Sequence, residues 1–316
     1  METPESDVGR FIGRIMAPDG SRIAVPAPVN AHTHCADGGV KAEKGMTLRQ
    51  LVAPPDGLKH RYLREASDEE LCANMAAFQR ESSRNGIRTF VDFREGGARG
   101  CRLLRKTVPD AFIMGRPTAQ VFDAGEADDI LDVADGIALS SLSDVDPRLA
   151  EACSDAAHRA GKPFALHVSE RTREDIEEVL RLDPAFIVHM TKASDSDMAK
   201  VADAGIPVAV CPRSNAFFGM VTPLDRMVDA GISVAFGTDN AMLCTPDLRP
   251  EVLLAADILG KRGHDPLEAV RILAEGTTCI SEVLGIRGGG TVTLPLNGGG
   301  VLDAFRRYFA RAGAGK

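Results

Sequence analysis

The stretch "VNAHTHCADGG", residues 29–39, places two histidines one residue apart at the end of an apolar run, in a chain with seven histidines in 316 residues. In an extended strand, side chains i and i+2 point to the same side, so His32 and His34 would aim both imidazoles at one point. Two ligands of a single metal ion must do that. His-x-His also occurs on exposed strand faces with no ion nearby, so the surrounding chain has to decide.

Outward from this stretch, short apolar runs alternate with longer amphipathic ones. Strands are predicted at 26–33, 87–93, 111–115, 136–141, 163–169, 185–190, 206–211 and 232–238. Helical patterns fall between and after them, at 68–85, 147–160, 172–181, 194–204 and 249–260. In the second of these, Asp146-Pro147 opens the helix and Gly161 closes it. Eight mostly continuous apolar strands, each followed by a helix or a helix-sized connection, predict an α/β protein of the (β/α)8 TIM-barrel class. An open doubly wound sheet is the alternative. It would usually carry a glycine-rich phosphate turn after its first strand, and neither G-x-G-x-x-G nor G-x-x-x-x-G-K-[ST] occurs. The expected organisation is an N-terminal hairpin over 1–25, the barrel over 26–285, and a C-terminal strand and helix over 286–316. The connection from 35 to 67, rich in Gly, Pro and Lys, reads as a loop or lid over a site.

Composition narrows the function. A net charge of −8 with no basic block argues against nucleic-acid and membrane-surface partners. Trp is absent and Tyr occurs twice, so stacking platforms for single-stranded nucleic acid are not expected. "METPESDVGR" does not read as a signal peptide, and no apolar stretch approaches a membrane span. Seven scattered cysteines with no C-x-x-C pair read as reduced thiols, hence a cytoplasmic protein.

In a parallel barrel the strand C-termini gather at one face, where loops build the active site. His167 sits near the end of the fifth predicted strand, His189 near the end of the sixth, and Asp239 follows the eighth. With His32 and His34 they crown one rim. Separately, His189 could be a satisfied core histidine and Asp239 a turn cap. Together they favour a metal site. His60, His158 and His264 fall in helices and loops and read as surface residues.

The motifs "HTH" (32–34), "HVSE" (167–170), "VHM" (188–190), "CPRSN" (211–215) and "GTDN" (237–240) stand in the order seen in the amidohydrolase superfamily. The set resembles most its cytosine deaminase, S-adenosylhomocysteine deaminase and chlorohydrolase-related branch, over about residues 26–260. The resemblance implies that His32, His34, His167 and Asp239 bind one divalent metal, zinc first and iron as the alternative. Binuclear relatives add a carboxylated lysine or a carboxylate on strand four; here that strand reads "GIALSS", so a single ion is expected.

The implied catalytic residues are Glu170, His189 and Asp239. Asp239 would accept a proton from the attacking water. Glu170 would protonate a ring nitrogen and shuttle protons to the leaving amine, although "SERTREDIEE" also reads as a helical opening with an exposed glutamate. His189 would stabilise the developing tetrahedral centre. Arg94, Arg116, Arg213 and Asn240 stand near strand ends and could face the pocket, whereas Cys35 should point away from the metal.

The implied reaction is deamination of a purine- or pyrimidine-like heterocycle at a cyclic amidine C–N bond. The alternatives are hydrolysis of another C–N or C–Cl bond on such a ring, and a catalytically silent metal-binding barrel. The expected partner is a small nitrogen heterocycle, with no nucleic acid and no membrane. Only about 25 residues precede the first barrel strand, so the accessory β-sandwich of the branch is expected to be reduced or absent. Apolar outer surface left bare in this way points to a homo-oligomer.

Overall fold

The computed structural model of the chain describes residues 21–264, 272, 274–286, 291–297, 304 and 307. Its centre is a sheet of nine parallel segments, numbered here in chain order after the short outlying β1 (Arg22–Pro26). They are β2 (Val29–His34), β3 (Thr89–Arg94), β4 (Phe112–Gly115), β5 (Gly136–Leu139), β6 (Phe164–Val168), β7 (Phe186–His189), β8 (Val208–Val210), β9 (Val234–Phe236) and β10 (Asp239–Asn240). Each lies inside or within a residue or two of a predicted strand. The spatial order is β10-β2-β3-β4-β5-β6-β7-β8-β9. Segments β9 and β10 are the two halves of one strand, parted at Gly237-Thr238, so the last strand meets the first and closes an eight-stranded (β/α)8 barrel.

The parting has a physical cause. Gly237 lies so close to β2 that a Cβ there would sit 2.8 Å from both the carbonyl oxygen and the Cβ of His32. A regular ladder does not fit there, and the Asn30 side chain replaces it. Its Nδ2 donates to Thr238 Oγ1 at 2.7 Å, and its Oδ1 accepts from the Thr238 amide at 2.9 Å.

Side chains alternate between two cores. Val29, Ala31, Val91, Phe93, Met114, Ala138, Ala165, Phe186, Val188, Ala209 and Ala235 fill the barrel interior. Phe90, Ile113, Ile137, Phe164, Leu166, Ile187, Val208 and Phe236 face outward onto the helices. Strict alternation would send His32 and His34 to the opposite side from Val29 and Ala31. The β2–β3 register, however, shifts between Asn30 and Thr33, one extra residue on β2. That bulge brings both imidazoles round to the interior, where the His32 ring packs edge-on against Phe93 with centroids 4.5 Å apart.

The helices begin where their sequence says. Ser67 accepts from the Glu70 amide ahead of Asp68–Arg84, and Asp146 accepts from the Arg148 amide ahead of Pro147–Arg159. The long connection after β2 folds into short helices at Leu48–Leu51 and Leu58–Glu65. At the opposite end Ile280, in the helix Cys279–Val283, plugs the barrel interior. The second arm of the expected hairpin is β1, and it pairs antiparallel with β11 (Thr291–Pro295), the strand expected from "TVTLPL". The first arm and most of the final helix lie outside the described residues. Among the described residues, no helix is long and apolar enough to cross a membrane, and all seven cysteines are free thiols.

The closure makes a quantitative prediction. Asn30→Ala leaves the buried Thr238 amide without its acceptor and should destabilise the fold by about 1–3 kcal/mol, read from the urea midpoint. An unchanged midpoint would mean that the side-chain clasp carries no part of the closure.

Candidate functional site

Six side chains from four strand ends converge at the C-terminal rim of the barrel. His32 and His34 come from β2, His167 from β6, His189 from the end of β7, Asp239 from β10, and Glu170 from the bend after β6. The candidate metal-binding atoms of His32, His34 and His167 all lie within 4.8 Å of one another, as do those of His32, His189 and Asp239. Asp239 Oδ1 stands 3.3 Å from His32 Nε2 and 3.6 Å from His34 Nε2, while its Oδ2 accepts from Ser214 Oγ at 2.5 Å.

The chain bends sharply to hold this arrangement. His189, Asp239 and Ser169 have φ of 77°, 60° and 49°, in the left-handed region that residues with a Cβ avoid. Strain of this kind persists only where the surroundings fix it, and it concentrates at functional sites.

Burial sets the protonation states. The His32 pKa falls to about 3 because the ring is wholly desolvated, with help from the neighbouring histidines and against the pull of Asp239. Desolvation likewise drives His167 well below the usual imidazole value, and His32, His189 and His34 add to it. Burial alone would raise Asp239, but its hydrogen bond to His32 and the charge of the surrounding histidines hold it well below the carboxylate range. His32 and His167 therefore stand as neutral imidazoles beside an ionised Asp239, donors of the kind that a divalent metal requires. His32 Nδ1 is also buried with no hydrogen-bond partner among the described residues, while its Nε2 faces Asp239. His167 places Nδ1 against the Leu139 carbonyl at 2.9 Å, leaving Nε2 for an ion. The donors fit a metal.

Glu170 does not open a helix. The next helix starts at Ile176, and Glu170 turns into the cavity with Oε1 3.5 Å from His189 Nε2. Burial raises its pKa; the charge of Asp239 adds to the rise and His189 opposes it. The bend that presents it is braced by Glu174, which accepts from the Ser169 and Ser143 amides at 2.7 Å each.

The four residues left open for pocket contacts divide. Arg116 and Asn240 line the cavity. Arg94 is buried against Asp92 and Glu95, and Arg213 is turned onto Glu251 and the Thr245 and Asp247 carbonyls. Cys35 is buried away from the donors, as expected. His60 is not the surface residue expected; it is half-buried in the covering segment with Nε2 3.1 Å from the Val52 carbonyl. That segment adds Leu48, Val52, Ala53, Pro54 and Lys59 to the cavity wall and leaves about 40 Å³. Sequence reading missed Lys59, Glu95 and Ser214. Glu95 stands one residue past a strand end and could have been found by the rim rule; Lys59, inside a helix of the connection, carried no such signal.

Comparison with known proteins agrees with this geometry. A protein of Methanothermobacter thermautotrophicus carrying the name aminohydrolase is 32% identical over 299 residues, covering 84% of this chain and 78% of its own. A 5-methylthioadenosine/S-adenosylhomocysteine deaminase of Natronomonas pharaonis is 31% identical over 169 residues, 47% of this chain and 39% of its own. Among solved structures, an atrazine chlorohydrolase from Arthrobacter aurescens complexed with zinc superposes with a TM-score of 0.68 at 18% identity, over 89% of this chain and 77% of its own. An adenosine deaminase from Xanthomonas campestris with bound zinc gives 0.69 at 17% identity, over 90% and 76%. At such identities the structural likeness speaks for the fold alone. The model of the amidohydrolase family matches residues 23–293, from β1 into β11 and through every residue of the rim, and the chain belongs to that family.

Proposed function

We propose that this amidohydrolase is a mononuclear metal-dependent aminohydrolase that releases ammonia from a cyclic amidine of a purine- or pyrimidine-like substrate. The observation that carries the reading is the pairing of a neutral imidazole–carboxylate donor set with a buried carboxyl, Glu170, beside His189 at the same cavity. The deaminase-named relatives and the zinc in two structural neighbours support it.

His32, His34, His167 and Asp239 would hold the metal, which supplies Lewis acidity that makes water a nucleophile near neutral pH. Asp239, held ionised, takes up the proton that the attacking water gives up. Glu170, its pKa raised by burial, keeps a proton to deliver to the ring nitrogen next to the attacked carbon. It then relays a proton to the departing amine, so that C–NH2 and water become C=O and ammonia. His189 donates a hydrogen bond to the oxygen that gains charge at the tetrahedral carbon. A silent barrel would need no carboxyl turned into the cavity from a strained bend.

The direct test is ammonia release across nucleobases, nucleosides and adenosine derivatives by protein loaded with zinc or iron. Turnover of at least one is expected; none with loaded protein would overturn the deaminase reading.

Two further outcomes follow from the assigned roles. Elemental analysis should find about one zinc or iron per chain, since four ligands serve one ion. His167→Ala should lose that metal together with activity, and two ions per chain in the parent protein would refute the single-ion reading. Glu170→Gln should keep the metal yet lose on the order of 10²–10⁴ in kcat. Wild-type turnover in that variant would remove Glu170 from the mechanism.

A further inference from the structure

Beside the six rim residues lies a carboxylate to which the proposed chemistry gives no role. Glu95, one residue past β3, is 9% exposed and meets four partners. Its Oε1 is 2.8 Å from His34 Nδ1, 2.8 Å from Lys59 Nζ and 3.1 Å from Arg116 Nη1; its Oε2 is 2.7 Å from Arg94 Nη2. Three cationic side chains, Lys59, Arg94 and Arg116, thus surround this carboxyl.

Consider what this does to His34. Its Nδ1 faces two acceptors, Glu95 Oε1 and the Phe93 carbonyl at 3.1 Å. An imidazole so placed carries its proton on Nδ1, which leaves the Nε2 lone pair directed at the cluster around Asp239. A carboxylate behind a ligating imidazole fixes ring orientation and tautomer and makes the ring a better donor. His167 has only a backbone carbonyl in the same place, so the two histidines are not equivalent.

Lys59 adds the second element. It belongs to the helix Leu58–Glu65 of the segment that covers the cavity, and it is the buried residue of that helix, 2% exposed. Charges within the cluster are unequal: Lys59, Arg94 and Arg116 face Glu95 and Asp92. The ion pair to Glu95 ties this helix to the carboxylate behind His34.

We infer that Glu95 is a positioning residue for the metal ligand His34 and that Lys59 ties the covering helix to it, so that closing the site and stiffening the ligand are one event. The inference rests on His34 being a metal ligand. It assigns Glu95 no contact with substrate and no part in proton transfer.

The test compares zinc binding by the parent protein with that of Lys59→Met/Glu95→Gln. Glu95→Gln alone strands three buried cations against one carboxylate and can fail to fold, whereas the double substitution keeps the parent charge balance. Binding is read by competition with a chromophoric chelator, ring geometry by the visible spectrum of cobalt-loaded protein, and closure by hydrogen exchange of residues 58–65. The expected result is an unchanged circular dichroism spectrum, about 10–100-fold weaker zinc binding and a shifted cobalt spectrum. Zinc should slow exchange of residues 58–65 in the parent protein and leave it unaffected in the variant. Zinc binding within about threefold of the parent, with the same cobalt spectrum, would overturn the role of Glu95 and leave the metal site standing. A parent protein that binds neither zinc nor cobalt would instead remove the metal reading on which the inference depends.

Discussion

Everything at the rim depends on the seam where the last strand meets the first. Asp239 pairs with Thr33 and Asn240 with His34 across that seam, so the contact that closes the barrel also sets the carboxylate against His32 at 3.3 Å. Gly237 and the Asn30–Thr238 clasp allow the backbones to come that close. Closure and site are thus a single structural fact, and no loop rearrangement could assemble the donor set without the complete barrel. This differs from sites carried on loops, where function can be lost while the scaffold persists.

The electrostatic consequence is a cluster poised for a cation. Buried imidazoles packed with centroids as close as 4.9 Å cannot all be protonated, and burial keeps His32 and His167 neutral. Their lone pairs are then directed at one another and at an anion, which is costly unless something positive lies between them. The left-handed backbone at His189 and Asp239 adds about 1–3 kcal/mol each to what the rest of the fold must support. The two packed cores supply that support from both sides of the sheet.

The barrel was legible because burial on both faces writes strands as continuous apolar runs, and the rim was legible because polar residues interrupt those runs only at their ends. Four features escaped for specific reasons. The bulge between Asn30 and Thr33 leaves no mark on the sequence, so the common facing of His32 and His34 was foreseen while their sharing the interior side with Val29 and Ala31 was not. The helical pattern read at 172–181 shortened to 176–181, because Glu174 turns back to cap the Ser143 and Ser169 amides and holds the bend open around Glu170. Lys59 and Glu95 are 36 positions apart, and no local periodicity brings them together. Pairing of β1 with β11 was equally hidden, since a strand followed by another strand is read first as a hairpin.

That pairing orders the birth of the molecule. Arg22 lies opposite Pro295, and Pro26 opposite Thr291, so β1 emerges from the ribosome long before its partner exists. During synthesis its hydrogen-bonding edge stays open while the whole barrel is made, which is when unpaired edges invite wrong partners. The seam between β2 and β10 waits almost as long. A nascent chain arrested after β8 would hold seven barrel strands in place and still lack both ring closure and the two-stranded sheet. The last steps of assembly are therefore the ones that join early residues to late ones: the ring stays open until β10 has been made, and β1 stays unpaired until β11 follows.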